Sequence, residues 1–219
     1  MLNYKIDHFV IGAQTLNKGS EFIEKLLNQN LSITNKHKKM GTHNKVLSLG
    51  TSYLEVISTD PKNKKNLEKT WFQLDDENYR KKYLKTPRLI SFVISTNMLK
   101  DSDLHEKSFF VSRNNFSWHF QKPKSQYLLK NNFKNINLIP SLIKWESSSP
   151  LFSMKKSSFI FESLEITLNQ NQKMLYNFML SLNLKEKIIY KFTDNKYSKL
   201  SQLKLRVRSL KDNKLILIS

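Results

Sequence analysis

Two histidines and a lone glutamate are gathered in one short stretch, HKKMGTHNKVLSLGTSYLEVI, which runs from His37 to Ile57. His37 and His43 flank Gly41, and Glu55 interrupts the second of two short apolar runs. The chain has no cysteine, so thiolate metal sites, cysteine nucleophiles and disulfides are excluded. Metal binding or proton transfer therefore falls to His, Asp and Glu. Imidazole and carboxylate donors suit Zn, Fe(II), Mn, Ni or Mg at an open site, and the same groups serve as general acids and bases.

Each candidate also has a purely structural reading. His8 lies in the apolar run YKIDHFVI and could be a hydrogen-bonded core histidine. Glu55 could line a cleft, because a buried carboxylate without a partner is costly, or could face solvent on the polar side of its strand. His37, among lysines ahead of a glycine, reads as an exposed loop residue. Gly41 gives the backbone freedom to turn His43 inward, and a capping or core role fits His43 equally. His105 has no supporting context, and His119 reads as a surface strand position beside Trp118. Trp71, Trp118, Phe120 and Trp145 could form core or wall a pocket.

The elements that must position these residues follow from hydrophobic periodicity. Residues 4–11 predict a mostly buried strand, and Leu16, Phe22, Ile23, Leu26 and Leu27 then recur at helical spacing. Strands are predicted at 31–34, 45–49 and 53–58, which gives the order βαβββ within residues 1–60. Lys62 to Thr70 reads as a polar loop, and 66–85 as a short helix or irregular covering segment. RLISFVIST at 88–96 opens a degenerate middle unit over 86–146, with room for a helix only at 98–104. Strands follow there at 108–112 and 117–121, then an apolar run at 136–145. Residues 157–219 repeat the order, with a strand at 158–168, a helix at 171–182 and strands near 186–192, 201–207 and 214–218. The three units share element order rather than residues.

Bulk composition narrows the class. Of the 219 residues, 39% are hydrophobic, enough for a sizeable core. The opening MLNYKIDHFVIGAQ has no basic region ahead of a long apolar run, and no stretch is long enough to span a bilayer, so a cytoplasmic protein without membrane partners is expected. The net charge of +19 raises nucleic-acid binding as an alternative. The lysines are spread along the whole chain and far outnumber arginine, which favours a solvated basic surface. There is no glycine-rich phosphate loop, nucleophile elbow or HExxH.

The segments IDHFVIG at 6–12, HKKMGTHN at 37–44 and LSLGTSYLEVISTDP at 47–61 resemble the glyoxalase-like branch of the vicinal oxygen chelate superfamily. WHF at 118–120 and LIPSLIKW at 138–145 add to the likeness. The resemblance implies a single α+β domain of repeated βαβββ modules, whose curled mixed sheets surround a cleft. It also implies a divalent metal held by His8 and Glu55, with His43 as a further ligand or acid–base group, and Glu55 near the reacting centre.

Superposing RLISFVIST on KIDHFVIG puts Ser91 at the position of His8, and the carboxylate expected later in that unit falls near Lys144 and Glu146. Superposing the third unit instead puts Glu165 opposite His8 as a fourth candidate ligand. The implied activity is metal-assisted lyase, isomerase or dioxygenase chemistry on a small molecule with adjacent oxygens. A metal-free binding or resistance protein on the same fold is the alternative, and pairing as a homodimer is compatible with the family.

Overall fold

The computed structural model describes residues 2–63, 70–124, 138–194 and 202–219; most of the Lys62–Thr70 loop lies outside these. The order is β1 (Tyr4–Gly12), α1 (Leu16–Leu27), β2 (Asn35–His37), β3 (Thr42–Ser48), β4 (Tyr53–Thr59), α2 (Glu77–Tyr83), β5 (Arg88–Thr96), β6 (Phe109–Arg113), β7 (Phe116–Gln121), β8 (Ser141–Trp145), β9 (Phe159–Asn169), α3 (Lys173–Ser181), β10 (Ile188–Thr193), β11 (Leu203–Ser209) and β12 (Leu215–Ile218). The second strand lies a few residues later than the sequence predicts. No helix forms over 98–104. Among the described residues, no helix is long and apolar enough to cross a membrane.

Eight strands form one sheet in the order β2-β3-β4-β1-β5-β8-β7-β6. The order is mirrored about its centre, where β1 and β5 run antiparallel with Phe9 opposite Phe92. In each half the first strand is parallel to the last, β1 to β4 and β5 to β8. The first unit therefore pairs with the middle one. The C-terminal unit forms its own sheet, β10-β9-β11-β12; it keeps the βαβββ order but not the pairing.

Alternation along the strands decides which side chains go where. Phe9, Ile11, Leu54, Val56, Phe92 and Ile94 join one core with α1 and the C-terminal sheet, while Val10, Ile57, Val93, Trp118 and Ile143 join a second core on the other face. Both faces of β1, β4 and β5 are thus covered, which is why these strands read as nearly unbroken apolar runs. Full burial of a side chain such as Phe9 or Phe92 contributes about 1.5–3 kcal/mol.

Helix α1 starts at Thr15, whose hydroxyl accepts from the Lys18 amide at 3.3 Å, and ends at Asn28 in the left-handed conformation. It sits close on the sheet because position 19 is glycine. A Cβ there would lie 2.7 Å from Val56 Cγ1 and 2.8 Å from Ala13 Cβ.

Candidate functional site

β1 departs from a regular ladder where it carries the site. Ile6 pairs with Ile94 and His8 with Val93, leaving Asp7 as an extra residue. Such a bulge re-aims side chains locally. It lets Asp7 and His8, which would alternate in a regular strand, meet on one side, with His8 Nδ1 2.7 Å from Asp7 Oδ1.

An ionised carboxylate only accepts, so Nδ1 carries the hydrogen and Nε2 is left for chemistry. Trp145 Nε1, from β8, donates to Asp7 Oδ2 at 2.8 Å. The Tyr53 hydroxyl also donates to Asp7, and its ring stacks on His8 with centroids 4.7 Å apart. Burial first, then the charges of Asp7 and Glu55, push the Tyr53 phenol well above its ordinary range, so it stays protonated.

The Nε2 face of His8 looks toward Glu55 Oε2 at 3.6 Å. Glu55 comes from β4, two residues along from Tyr53 on the same face. Its Oε1 accepts a short hydrogen bond from Asn44 Nδ2; the reverse amide orientation would oppose two acceptors. His8 and Glu55 are both buried, yet both line a cavity of about 430 Å³, within the usual size of small-molecule sites.

Its wall combines aromatic rings with polar and basic side chains such as Asn44, Arg113 and Lys155. Tyr53, Trp71, Phe72, Phe116, Trp118, Phe120 and Trp145 all contribute. Phe72 and Gln73 hold positive φ angles of 59° and 58°, a conformation that costs about 1–2 kcal/mol per residue. The Leu74 amide closes this turn on the Trp71 carbonyl at 3.2 Å.

His37 is buried rather than exposed. Gly41, at φ +63°, reverses the chain after Met40 and returns Thr42 beside it. The Thr42 hydroxyl lies 3.1 Å from His37 Nδ1 and accepts from Trp71 Nε1 at 3.2 Å. Burial, followed by repulsion from Arg113, holds the His37 imidazole well below its ordinary range, so it lines the cavity as a neutral ring.

The other sequence candidates lie elsewhere. His43 alternates to the opposite face of β3, where Nε2 meets Ser58 Oγ at 2.8 Å; it is not on the cavity wall. Glu165 is buried in the C-terminal sheet, bridged to Lys191 at 3.1 Å and to Lys204 and Arg206 at 3.2 Å. The structure therefore brings His8 and Glu55 together, but not His43 or Glu165. His105 is held by the Pro140 carbonyl at 2.8 Å and packs on Phe178, and His119 lies 3.6 Å from Glu146.

Asp7, Asn44, Tyr53 and Arg113 complete the site without having been singled out by type or spacing. Asn44 closes the GTHN motif, which was the one available signal. Asp7 was concealed by the strand alternation that the bulge breaks.

These donors do not fit a resident divalent ion. The fold's mirror symmetry gives His8 the counterpart Ser91. The register that sets Glu55 opposite Val10 sets Ser141 opposite Val93. The second half thus offers hydroxyls where strong ligands are needed, and the Arg113 guanidinium already places positive charge near Glu55. Among the described residues, no three His, Asp or Glu side chains are grouped closely enough to hold a metal.

The sequence matches the family described as Glyoxalase-like domain over residues 6–178. The chain belongs to this family. No curated protein matches it in sequence. Among solved structures, a hypothetical protein from Staphylococcus aureus is similar over 98% of this chain and 84% of its own, at 15% identity and a TM-score of 0.55. A methylmalonyl-CoA epimerase from Streptomyces coelicolor covers 68% of this glyoxalase-like chain and 99% of its own, at 12% identity and a TM-score of 0.44. The methylmalonyl-CoA epimerase from Mycobacterium tuberculosis covers 68% and 91%, at 11% identity and a TM-score of 0.40. The first of these likenesses supports the fold alone, an α+β arrangement of curled mixed sheets.

Proposed function

We propose that this glyoxalase-like protein moves a proton on a small organic molecule bearing adjacent oxygens, in the manner of an isomerase or lyase and without a resident metal. The observation that carries this reading is the line Asp7–His8–Glu55. One nitrogen of His8 is fixed by Asp7, and the other meets a carboxylate across the cavity wall.

In this scheme one group of the pair takes a proton from the carbon beside a carbonyl, and the other returns a proton to the resulting enolate. Positioned acid–base pairs of this kind contribute about 10²- to 10⁴-fold each. Asn44 keeps Glu55 aimed at the same point. Metal-assisted and dioxygenase schemes have less support here, because their ligand set is not assembled. The lack of cysteine favours a reducing, cytoplasmic setting, and the spread of lysines favours a solvated basic surface over a nucleic-acid interface.

Deuterium wash-in from D2O, followed by proton NMR, tests the scheme. The probes are a panel of 2-hydroxy acids, 2-oxo acids and 1,2-diketones. Exchange is expected with at least one of them, unchanged by EDTA and reduced at least about 100-fold in His8→Ala and Glu55→Gln. Exchange abolished by EDTA, or absent across the panel, would overturn it. Ser91 and Ser141 at the ligand positions of the second half also suit a cavity that binds without turnover. That reading predicts thermal protection by a panel member with no exchange.

A further inference from the structure

We infer that Arg113 is the anchor for a ligand carboxylate, so that the cavity takes a monoanionic organic acid with an apolar, ring-sized body. This rests on reading the cavity as the small-molecule site, and it names the class of molecule that site would hold.

Arg113 ends β6, where it pairs with Phe116 across the Asn114–Asn115 turn. Alternation places it on the same side as Phe109 and Val111, facing inward. Phe116, Trp118, Phe120 and Trp145 line the same cavity, and the Glu55 carboxylate and Tyr53 phenol act on the guanidinium.

Nε and Nη1 of Arg113 are buried and have no hydrogen-bond partner among the described residues. Nearly all buried polar groups in folded proteins are paired, and a planar guanidinium with free N–H groups matches a carboxylate fork. Glu55 attracts this charge, but leaves both nitrogens unpaired. These N–H groups are thus left for an acceptor that none of the described residues supplies.

Among the described residues Arg113 is the cation at this depth, since His37 is neutral and Lys155 and Lys156 line the cavity only as exposed side chains. A singly charged carboxylate matches one guanidinium, whereas a dianionic phosphate would bring a second, uncompensated charge beside the Glu55 carboxylate. The seven aromatic side chains on the wall offer stacking and apolar contact to the rest of the ligand.

The test is calorimetric titration of wild type with acetate, benzoate, phenylacetate and phenylpyruvate, with acetamide, benzamide and phenylacetamide as uncharged controls, and with inorganic phosphate. Aromatic carboxylates are expected to bind at least about tenfold tighter than their amides. That preference should vanish in Arg113→Met and survive in part in Arg113→Lys.

Thermal stability of Arg113→Met should change little, since removing two buried N–H groups without partners offsets the lost attraction to Glu55. Equal binding of acids and amides to wild type, phosphate binding as tightly as the carboxylates, or marked destabilisation of Arg113→Met would each overturn the assignment. The acid–amide ratio is measured in His8→Ala as well. A ratio kept there while deuterium wash-in is lost confirms the anchor independently of proton transfer, and wash-in without any acid preference leaves proton transfer standing without the anchor.

Discussion

Asp7 and His8 are consecutive in β1, yet their side chains meet on one side of the strand, Oδ1 2.7 Å from Nδ1. The cause is the single extra residue that β1 carries against β5 between the pairs Ile6–Ile94 and His8–Val93. Because Trp145 also donates to Asp7, the carboxylate ties the first half of the sheet to the second at the point where the imidazole must be oriented.

Replacing Asp7 by Asn should therefore release the His8 tautomer. Nitrogen NMR of the imidazoles is expected to show Nδ1–H as the dominant form of His8 in wild type and a mixture in Asp7→Asn. Deuterium wash-in should fall about 10- to 100-fold, as is usual when the group orienting a functional histidine is lost. An unchanged tautomer would mean that Asp7 does not set it.

Acid should destabilise the protein from near neutral pH downward. Burial lowers the pKa of His37 well below 6.5, and it lowers those of His43 and His105. Above pH 6.5 these rings are neutral in both folded and unfolded chains and add no slope. Below it the unfolded chain takes up protons that the folded chain refuses, so stability falls until the folded rings titrate, at up to about 1.4 kcal/mol per pH unit for His37 and less for His43 and His105. Urea unfolding between pH 8 and pH 5 should show this onset, and His37→Gln should remove about one proton from the slope.

Glu165 should matter to the fold and not to the cavity. Its buried carboxylate gathers Lys191, Lys204 and Arg206, and Glu165→Gln leaves three cations facing one another. A loss of about 1–3 kcal/mol is expected, moderated because those cations are partly exposed. Carboxylate binding and wash-in should be unchanged. A loss of wash-in without a loss of stability would return Glu165 to the list of site residues.

Much of the architecture was written locally. The runs YKIDHFVI and RLISFVIST specify the two central strands, because side chains buried on both faces leave no polar alternation, and Thr15 and Asn28 mark the ends of α1. Four segments in the C-terminal third sufficed for its strands β9 to β12. Motif likeness was enough to place His8 and Glu55 in one family pattern, and the structure sets their functional atoms 3.6 Å apart.

Other relationships depend on pairing between distant segments, which no local pattern encodes. Which unit faces the first one is decided by the antiparallel register of β1 with β5. That register makes the middle unit, with its serines, the other half of the site, and it sends the C-terminal unit with Glu165 to a separate sheet. His43 and Asn44 are neighbours in the motif, but the period of two in β3 gives the cavity to Asn44 and the far face to His43. His37, which looked like a loop residue among lysines, is buried because Trp71 and Thr42 close over it. Arg113 had no signal beyond its charge; only the β6–β7 hairpin turns it among aromatic rings, where a guanidinium has a reason to be there if something negative comes to meet it.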